Sequence, residues 1–475
     1  MSKRQADLED LPQAKAVLGG ASRHQALKTD MGEFEDAWED EIEEEPIMDD
    51  NDDDDQPEGE GMEVDEPQDE DEQDLKVYLP GQPLEEGEEL EADPSVYVML
   101  HNMDVRLPFL SFDILNDNLG EERNNFPATA YVAAGTSVPG VRDNEVVVMK
   151  LSNLHKTQQD EDEDDEDDAL DEDPVLEHRS APHNGCVNRL RVMPQTGKHL
   201  ASTWSETGKV YVYDLDPLVS SLDVPGTGLP KNYKPLVMHQ HGREEGYAMD
   251  WSPLDAGKLL TGDNAGLIYH TTVTPQGILQ TDNAAFREHK SSVEDIQWSP
   301  SERTVFASCS ADQTVKIWDN RTKKRSAVSV HASNSDINVI TWNHKASYLL
   351  ASGHDDGTFS VWDLRTFKSG GGVSPVASFK WHHGPITSIE WHHTEESILA
   401  VSGADDQLTL WDLSVEPDTE EEGRFTANGV QVPPQLLFVH QGQTQIKELH
   451  WHKQIPGCVL STANSGLNIF KTISV

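Results

Sequence analysis

Basic residues are scarce in this chain: 36 Lys and Arg stand against 87 Asp and Glu over 475 residues, a formal charge of −51. So anionic a chain repels nucleic acid and attracts basic protein, which excludes direct DNA or RNA binding as the expected activity. Cysteine is scarcer still. Cys186, Cys309 and Cys458 are odd in number, far apart and without CxxC or Cys/His ligand spacing, which argues against a disulfide framework and a zinc site. There is no apolar run near the ~18 residues of a membrane span and no N-terminal apolar h-region, so a cytosolic or nuclear protein is expected. Phosphate loops of the GxxxxGK[ST] type, a GxGxxG turn and a GxSxG elbow are also missing, and the glycines at 370–372 read as a flexible link. No cofactor is implied.

The charge is concentrated. Residues 31–95 carry 31 acids against the single base Lys76, and residues 158–173 carry 12 acids and no base. Such blocks repel themselves and cannot bury enough apolar area to offset chain entropy. Residues 1–93 are therefore expected to be a disordered acidic extension, and 158–173 an acidic insertion. Hydrophobic residues at 36% agree with a chain that is not folded throughout.

From Gly185 onward the chain repeats itself. The clearest unit is HKSSVEDIQWSPSERTVFASCSADQTVKIWD, from His289 to Asp319; the next two end at Asp363 and Asp412. Weaker copies occupy 183–214, 241–270 and 440–470, and LSFDIL, TAYVAAGTS and NEVVVMKLSNL in 109–154 supply one more. Each unit holds short alternating or apolar strands between Gly/Asp/Asn-rich turns. The ~40–50-residue period and the closing Trp-Asp pairs resemble the WD repeat, which implies an all-β fold, a seven-bladed propeller over residues 94–475.

The resemblance carries a hydrogen-bonded tetrad onto His289, Ser308, Asp312 and Trp318, and onto His331, Ser352, Asp356 and Trp362. In the next unit His383, Ser402 and Trp411 match, with Asp405 or Asp406 as the acid. These sets imitate Ser/His/Asp catalytic triads, but in this family they are buried struts whose polar groups satisfy one another. A non-catalytic protein is expected. The remaining histidines, such as His392, His393, His450 and His452, follow blade edges and show no converging ligand set.

Before the first unit, Val96, Leu100 and Met103 fall at i, i+4 and i+7, which predicts a short helix ended by residues 106–108. Near the other end, residues 416–434 read as a loop between the last two blades, with Glu416, Asp418, Glu420, Glu421 and Glu422 as its acids and Pro433–Pro434 at its end. A helix and an acidic loop ending in two prolines resemble the histone-chaperone branch of WD-repeat proteins. That resemblance places Leu100, Met103, Glu420, Glu421 and Glu422 beside a groove for a basic helix. Two additions, the long N-terminal acidic tract and the run Asp160, Glu161, Asp162, Glu163, Asp164, Asp165, Glu166, Asp167 and Asp168, are similar to a sister family. The chain is identified as a member of the glutamate-rich WD-repeat family.

That resemblance implies a nuclear and nucleolar chaperone, able to shuttle through the cytoplasm, for a basic client: newly made large-subunit ribosomal protein three, delivered to pre-60S particles. The expected state is a monomer or a 1:1 complex with the client, and the acidic run at 160–168 is the expected clamp. The competing readings are a histone-binding chaperone or chromatin scaffold subunit and, more remotely, a ligase adaptor. A smaller feature is GEFEDAWEDEIEEE, where Phe34 and Trp38 stand four apart within acid and suit a helix formed on a partner. Basic clusters are slight: Lys323 to Arg325 sits in a turn, and Lys3–Arg4 is too short for an import signal.

Overall fold

The computed structural model describes residues 92–475 apart from short stretches of link, the longest being 158–172 and 417–425. Phe34, Trp38, Asp160 to Asp168, Glu420, Glu421, Glu422 and the glycines at 370–372 lie outside the described residues. What is described folds into seven antiparallel sheets, or blades, of four strands each, the third gaining a fifth at Phe286–Arg287. Blade 1 uses Phe109–Leu115, Ala128–Thr136, Asn144–Leu154 and Val175–His183. Blades 2 to 6 follow in order from Val187–Val192, Met249–Trp251, Val293–Trp298, Ile337–Trp342 and Ile386–Trp391, each the first strand of its sheet.

Blade 7 closes the ring with strands from both ends of the described chain. Its first three strands are Glu448–Trp451, Cys458–Ala463 and Gly466–Thr472; the fourth is Tyr97–Met103. The helix expected over Val96 to Met103 is therefore a strand, preceded by one 3-10 turn at Pro94–Val96. Large residues at both helical and strand spacing make the segment ambiguous. The sheet decides: Tyr97, Met99, His101 and Met103 alternate inward, and Leu100 pairs with Phe470 and Met103 with Leu467. A helix would leave the edge of Gly466–Thr472 unpaired. Tyr97 locks the junction, its hydroxyl 2.8 Å from His440 Nδ1 and its ring edge-on to Phe438 and Phe470.

The first strands pack on one another around the central channel. In five blades the register shifts after the first residue of this strand, as between Val187 and Arg189 or Val293 and Asp295. The bulges turn Arg189, Asp295, Val339 and Ser388 into the channel, where they line a cavity of about 90 Å³, room for roughly three waters. Blade-to-blade packing is tight at small residues. A Cβ added to Gly353 would lie 2.5 Å from the Ile386 side chain of the next blade, so Gly is there for close approach.

Candidate functional site

The Ser/His/Asp sets come first, because they imitate an active site. In blade 4, His289 Nε2 is 2.7 Å from Ser308 Oγ, and His289 Nδ1 is 2.9 Å from Asp312 Oδ2. Trp318 donates its indole N–H to Ser308 Oγ at 2.8 Å, and Ser308 is wholly buried. Burial pushes the His289 imidazole below its ordinary value; Asp312, despite its own burial, is held well below the carboxylate range by His289 and Thr314. A nucleophile needs access to a substrate, and this hydroxyl has none. The set is a strut that ties the second and third strands to the link entering the blade.

In the next two blades the struts differ from the sequence expectation. Ser352 Oγ accepts the Trp362 indole N–H at 2.9 Å, but its histidine partner is His354, also at 2.9 Å, whereas His331 is exposed. Asp356 accepts from Thr358 instead. In blade 6 the histidine is His382, not His383, and the hydroxyl is Thr409, not Ser402. His382 lies 3.0 Å from Thr409 Oγ1 and 2.9 Å from Asp405 Oδ1, and Trp411 donates to Thr409 Oγ1 at 2.8 Å. Ser402 pairs with Thr387, and His383 contributes its backbone N–H to Asp405. The spacing explains both corrections. His183, His289 and His382 each stand four positions before the first residue of the next inner strand, Val187, Val293 and Ile386, but His331 stands six before Ile337, too far to turn inward.

A ring of charge around the channel escaped the sequence reading. Side chains of one first strand accept backbone N–H groups of the next: Asp113 from Val192 at 2.7 Å, Asp250 from Trp298 at 2.7 Å, Asp295 from Ile340 at 3.1 Å, Gln297 from Trp342 at 2.8 Å. Glu390 accepts from Trp451 at 3.3 Å, and Glu448 from Phe112 at 2.8 Å, which carries the pattern across the closure. The inner edge of each sheet has no neighbouring strand, so these acceptors satisfy donors that would otherwise be orphaned. Glu448 also takes Arg189 and Arg191, each at 2.7 Å.

Burial opposes ionisation of Glu448, but Arg191 and Arg189 outweigh it and hold the carboxyl well below its usual range. Glu390, equally buried, is brought down to about 2 by His450; despite burial His450 is raised to about 10 by Glu390 and Glu448. Asp250 lacks such a partner, and burial pushes it up to about 8. Glu448, Glu390, the two arginines and His450 are paired with one another, so the cavity is a fastening. The recurrent polar position in FDIL, RLRV, MDW, EDIQW, IEW and ELHW was a legible signal of it.

The remaining candidates lie on the links. Strands alternate in direction, so the links from first to second strand and from third to fourth strand emerge on one face, and the other two classes on the opposite face. Residues 158–172 fall between the third and fourth strands of blade 1, and 417–425 between those of blade 6 at 408–412 and 436–440. The second loop is therefore inside a blade and not between two blades as its sequence position suggested. Exposed Asp173 and Glu416 mark where the two insertions leave the ring, and Val432, packed near Trp381 and Trp411, anchors the return before Pro433. Met103 is not available to a partner: it is 8% exposed in the core shared by blades 7 and 1, and Leu100 packs against the Tyr97 cluster. Among the described residues there is no group of three or more His, Cys, Asp or Glu placed to hold a metal ion.

A closed seven-bladed ring with buried His–hydroxyl–Trp struts defines a WD-repeat propeller, and residues 280–319, 323–363 and 373–412 match the model of the WD domain, G-beta repeat. Residues 87–155 match the family model described by the histone-binding protein RBBP4 and its counterpart in the CAF1 complex. The chain is 50% identical over 461 residues to the ribosome assembly protein rrb1 of Schizosaccharomyces pombe, covering 94% of each chain. It is 46% identical to the glutamate-rich WD repeat-containing protein 1 of Dictyostelium discoideum, over 84% of this chain and 85% of the relative. Over 143 residues it is 30% identical to the histone acetyltransferase type B subunit 2 of Mycosarcoma maydis, 29% of this chain. The chain belongs to the glutamate-rich WD-repeat family.

Proposed function

We propose that this protein is a non-enzymatic ribosome-assembly chaperone of the nucleus and nucleolus that binds a newly made basic ribosomal protein, large-subunit ribosomal protein three, and delivers it to pre-60S particles. The observation that carries this reading is the end-to-end identity with the ribosome assembly protein rrb1. The charge supports it. An unassembled ribosomal protein is strongly basic and binds RNA indiscriminately; the acids at 31–95 and 158–173 compete for its Lys and Arg, and ribosomal RNA, with denser charge, displaces them at delivery. No nucleotide is needed for such an exchange. Asp160 to Asp168 and Glu420, Glu421 and Glu422 are the carboxylates assigned to the client.

A second reading, a histone-binding chaperone, is favoured by the match of residues 87–155 to the histone-binding family model. Both readings require a basic client, and capture separates them. The tagged full-length protein is recovered from nuclease-treated lysate at moderate salt and its partners are counted by mass spectrometry. Ribosomal protein three at near-equal amount is expected; stoichiometric histones without any large-subunit ribosomal protein would sink the proposal.

A further inference from the structure

The large hydrophobic side chains that stand exposed among the described residues are Leu119, Val175, Val224, Leu236, Tyr348, Val376 and Ile473. Their places in the chain share one property. Leu119 and Tyr348 sit in links from first to second strand, Val224, Leu236 and Val376 in links from third to fourth strand, Val175 begins a fourth strand, and Ile473 follows a third strand. Strand alternation puts all of them on the same face of the ring. Among the described residues the opposite face, built of tight turns such as residues 311–313 and 355–357 and of the histidine-bearing links, exposes none.

Three acidic tracts attach at that same face. Residues 158–172 and 417–425 interrupt links from third to fourth strand, and the N-terminal extension reaches the ring where Tyr97 begins the fourth strand of blade 7. Singly exposed apolar side chains are ordinary on a protein surface. Their confinement to one face, the one to which the anionic tracts are tethered, is not.

We propose that this face is the docking face for the client, and that its apolar side chains, chiefly Val175, Val224 and Leu236 on adjacent blades 1 and 2, receive apolar residues of a basic protein segment. The helix Asp216–Asp223 joins these blades: Asp223 takes the Tyr131 hydroxyl at 2.5 Å and Lys150 at 3.0 Å on blade 1, and Val224 follows it directly. Val175 lies just beyond the 158–172 insertion, so a segment drawn in by those acids meets it first. The division of labour is physical: long-range charge sets the encounter rate, and short-range apolar burial sets the lifetime. This inference rests on the basic-client reading above.

The test uses the full-length protein with Val175→Asp, Val224→Asp and Leu236→Asp combined, and purified ribosomal protein three, histones and poly-lysine as probes. Because the three sites are exposed, the thermal melt should stay unchanged. A set with the same added charge on the opposite face, His331→Asp, Asn334→Asp and Ser465→Asp, is the control. Affinity for the protein client should fall about tenfold or more in the first set, from loss of dissociation lifetime, and hold in the second. Binding of poly-lysine, which offers charge alone, should not fall in either. Equal affinity in the two sets, or loss confined to the control set, overturns the proposal, as does failure of the unmodified protein to bind either client. Capture of histones but not ribosomal protein overturns the function proposed above, and the same substitutions then map the docking face with histones.

Discussion

The channel and the rim links hold the chain's charge in opposite ways. Around the channel Glu448, Glu390, Arg189, Arg191 and His450 are buried and paired within 2.7–2.8 Å, and each carboxylate also closes a backbone donor of a neighbouring blade. On the links, Asp173 and Glu416 are exposed at the ends of acidic stretches. Paired, desolvated charge fixes geometry and is costly to break; unpaired, hydrated charge is free for a partner and adds little to folding. The same residue types therefore serve the fold at the centre and recognition at the rim.

The largest effect should come from breaking the centre. Glu448→Ala leaves Arg189 and Arg191 unpaired beside an orphaned Phe112 N–H and should destabilise the ring by about 3–5 kcal/mol, read by denaturant unfolding. Next come the struts. His354→Ala and His382→Ala should each cost about 1–3 kcal/mol, while His331→Ala, at an exposed position, should stay within about 0.5 kcal/mol. Equal losses at His331 and His354 would refute the corrected assignment.

A smaller effect concerns pH. Asp250 is raised to about 8 from an ordinary 3.8, so between those values the unfolded chain releases a proton that the native state keeps, and stability falls as pH rises. His450, raised to about 10 from 6.5, gives stability that is full below 6.5 and fades toward 10. Both slopes point the same way, so thermal melts should decline from pH 6.5 to 8. Asp250→Asn, which keeps an oxygen for the Trp298 N–H, should flatten part of that decline. Deleting residues 158–173 should leave the melt unchanged and act on binding alone, reducing the steepness with which client affinity falls with salt. A stability loss there would erase the contrast between centre and rim.

Much of the fold was legible because a propeller writes its core at a fixed period. The Trp-Asp pairs at 318–319, 362–363 and 411–412 and the alternating strands before them mark blades without any long-range information. Where the reading went wrong, the deciding partner lay elsewhere in the chain. VYVMLHNM satisfies both a helical and an extended pattern, and pairing with Gly466–Thr472 selects the strand. Similarly, His331 has the right residue type before its blade, but two extra residues in its link and a competing His354 on the neighbouring strand remove it from the strut.

The sequence by itself determined the repeat, the acidic tracts and their separation from the apolar blades, since these follow from composition and short-range periodicity. Which strand closes the ring, which histidines become struts, which acids meet at the channel, and that the insertions and exposed apolar residues share a face were decided only by the tertiary structure. Each of these depends on residues up to several hundred positions apart, such as Glu448 and Phe112, being brought within hydrogen-bonding distance by closure of the ring.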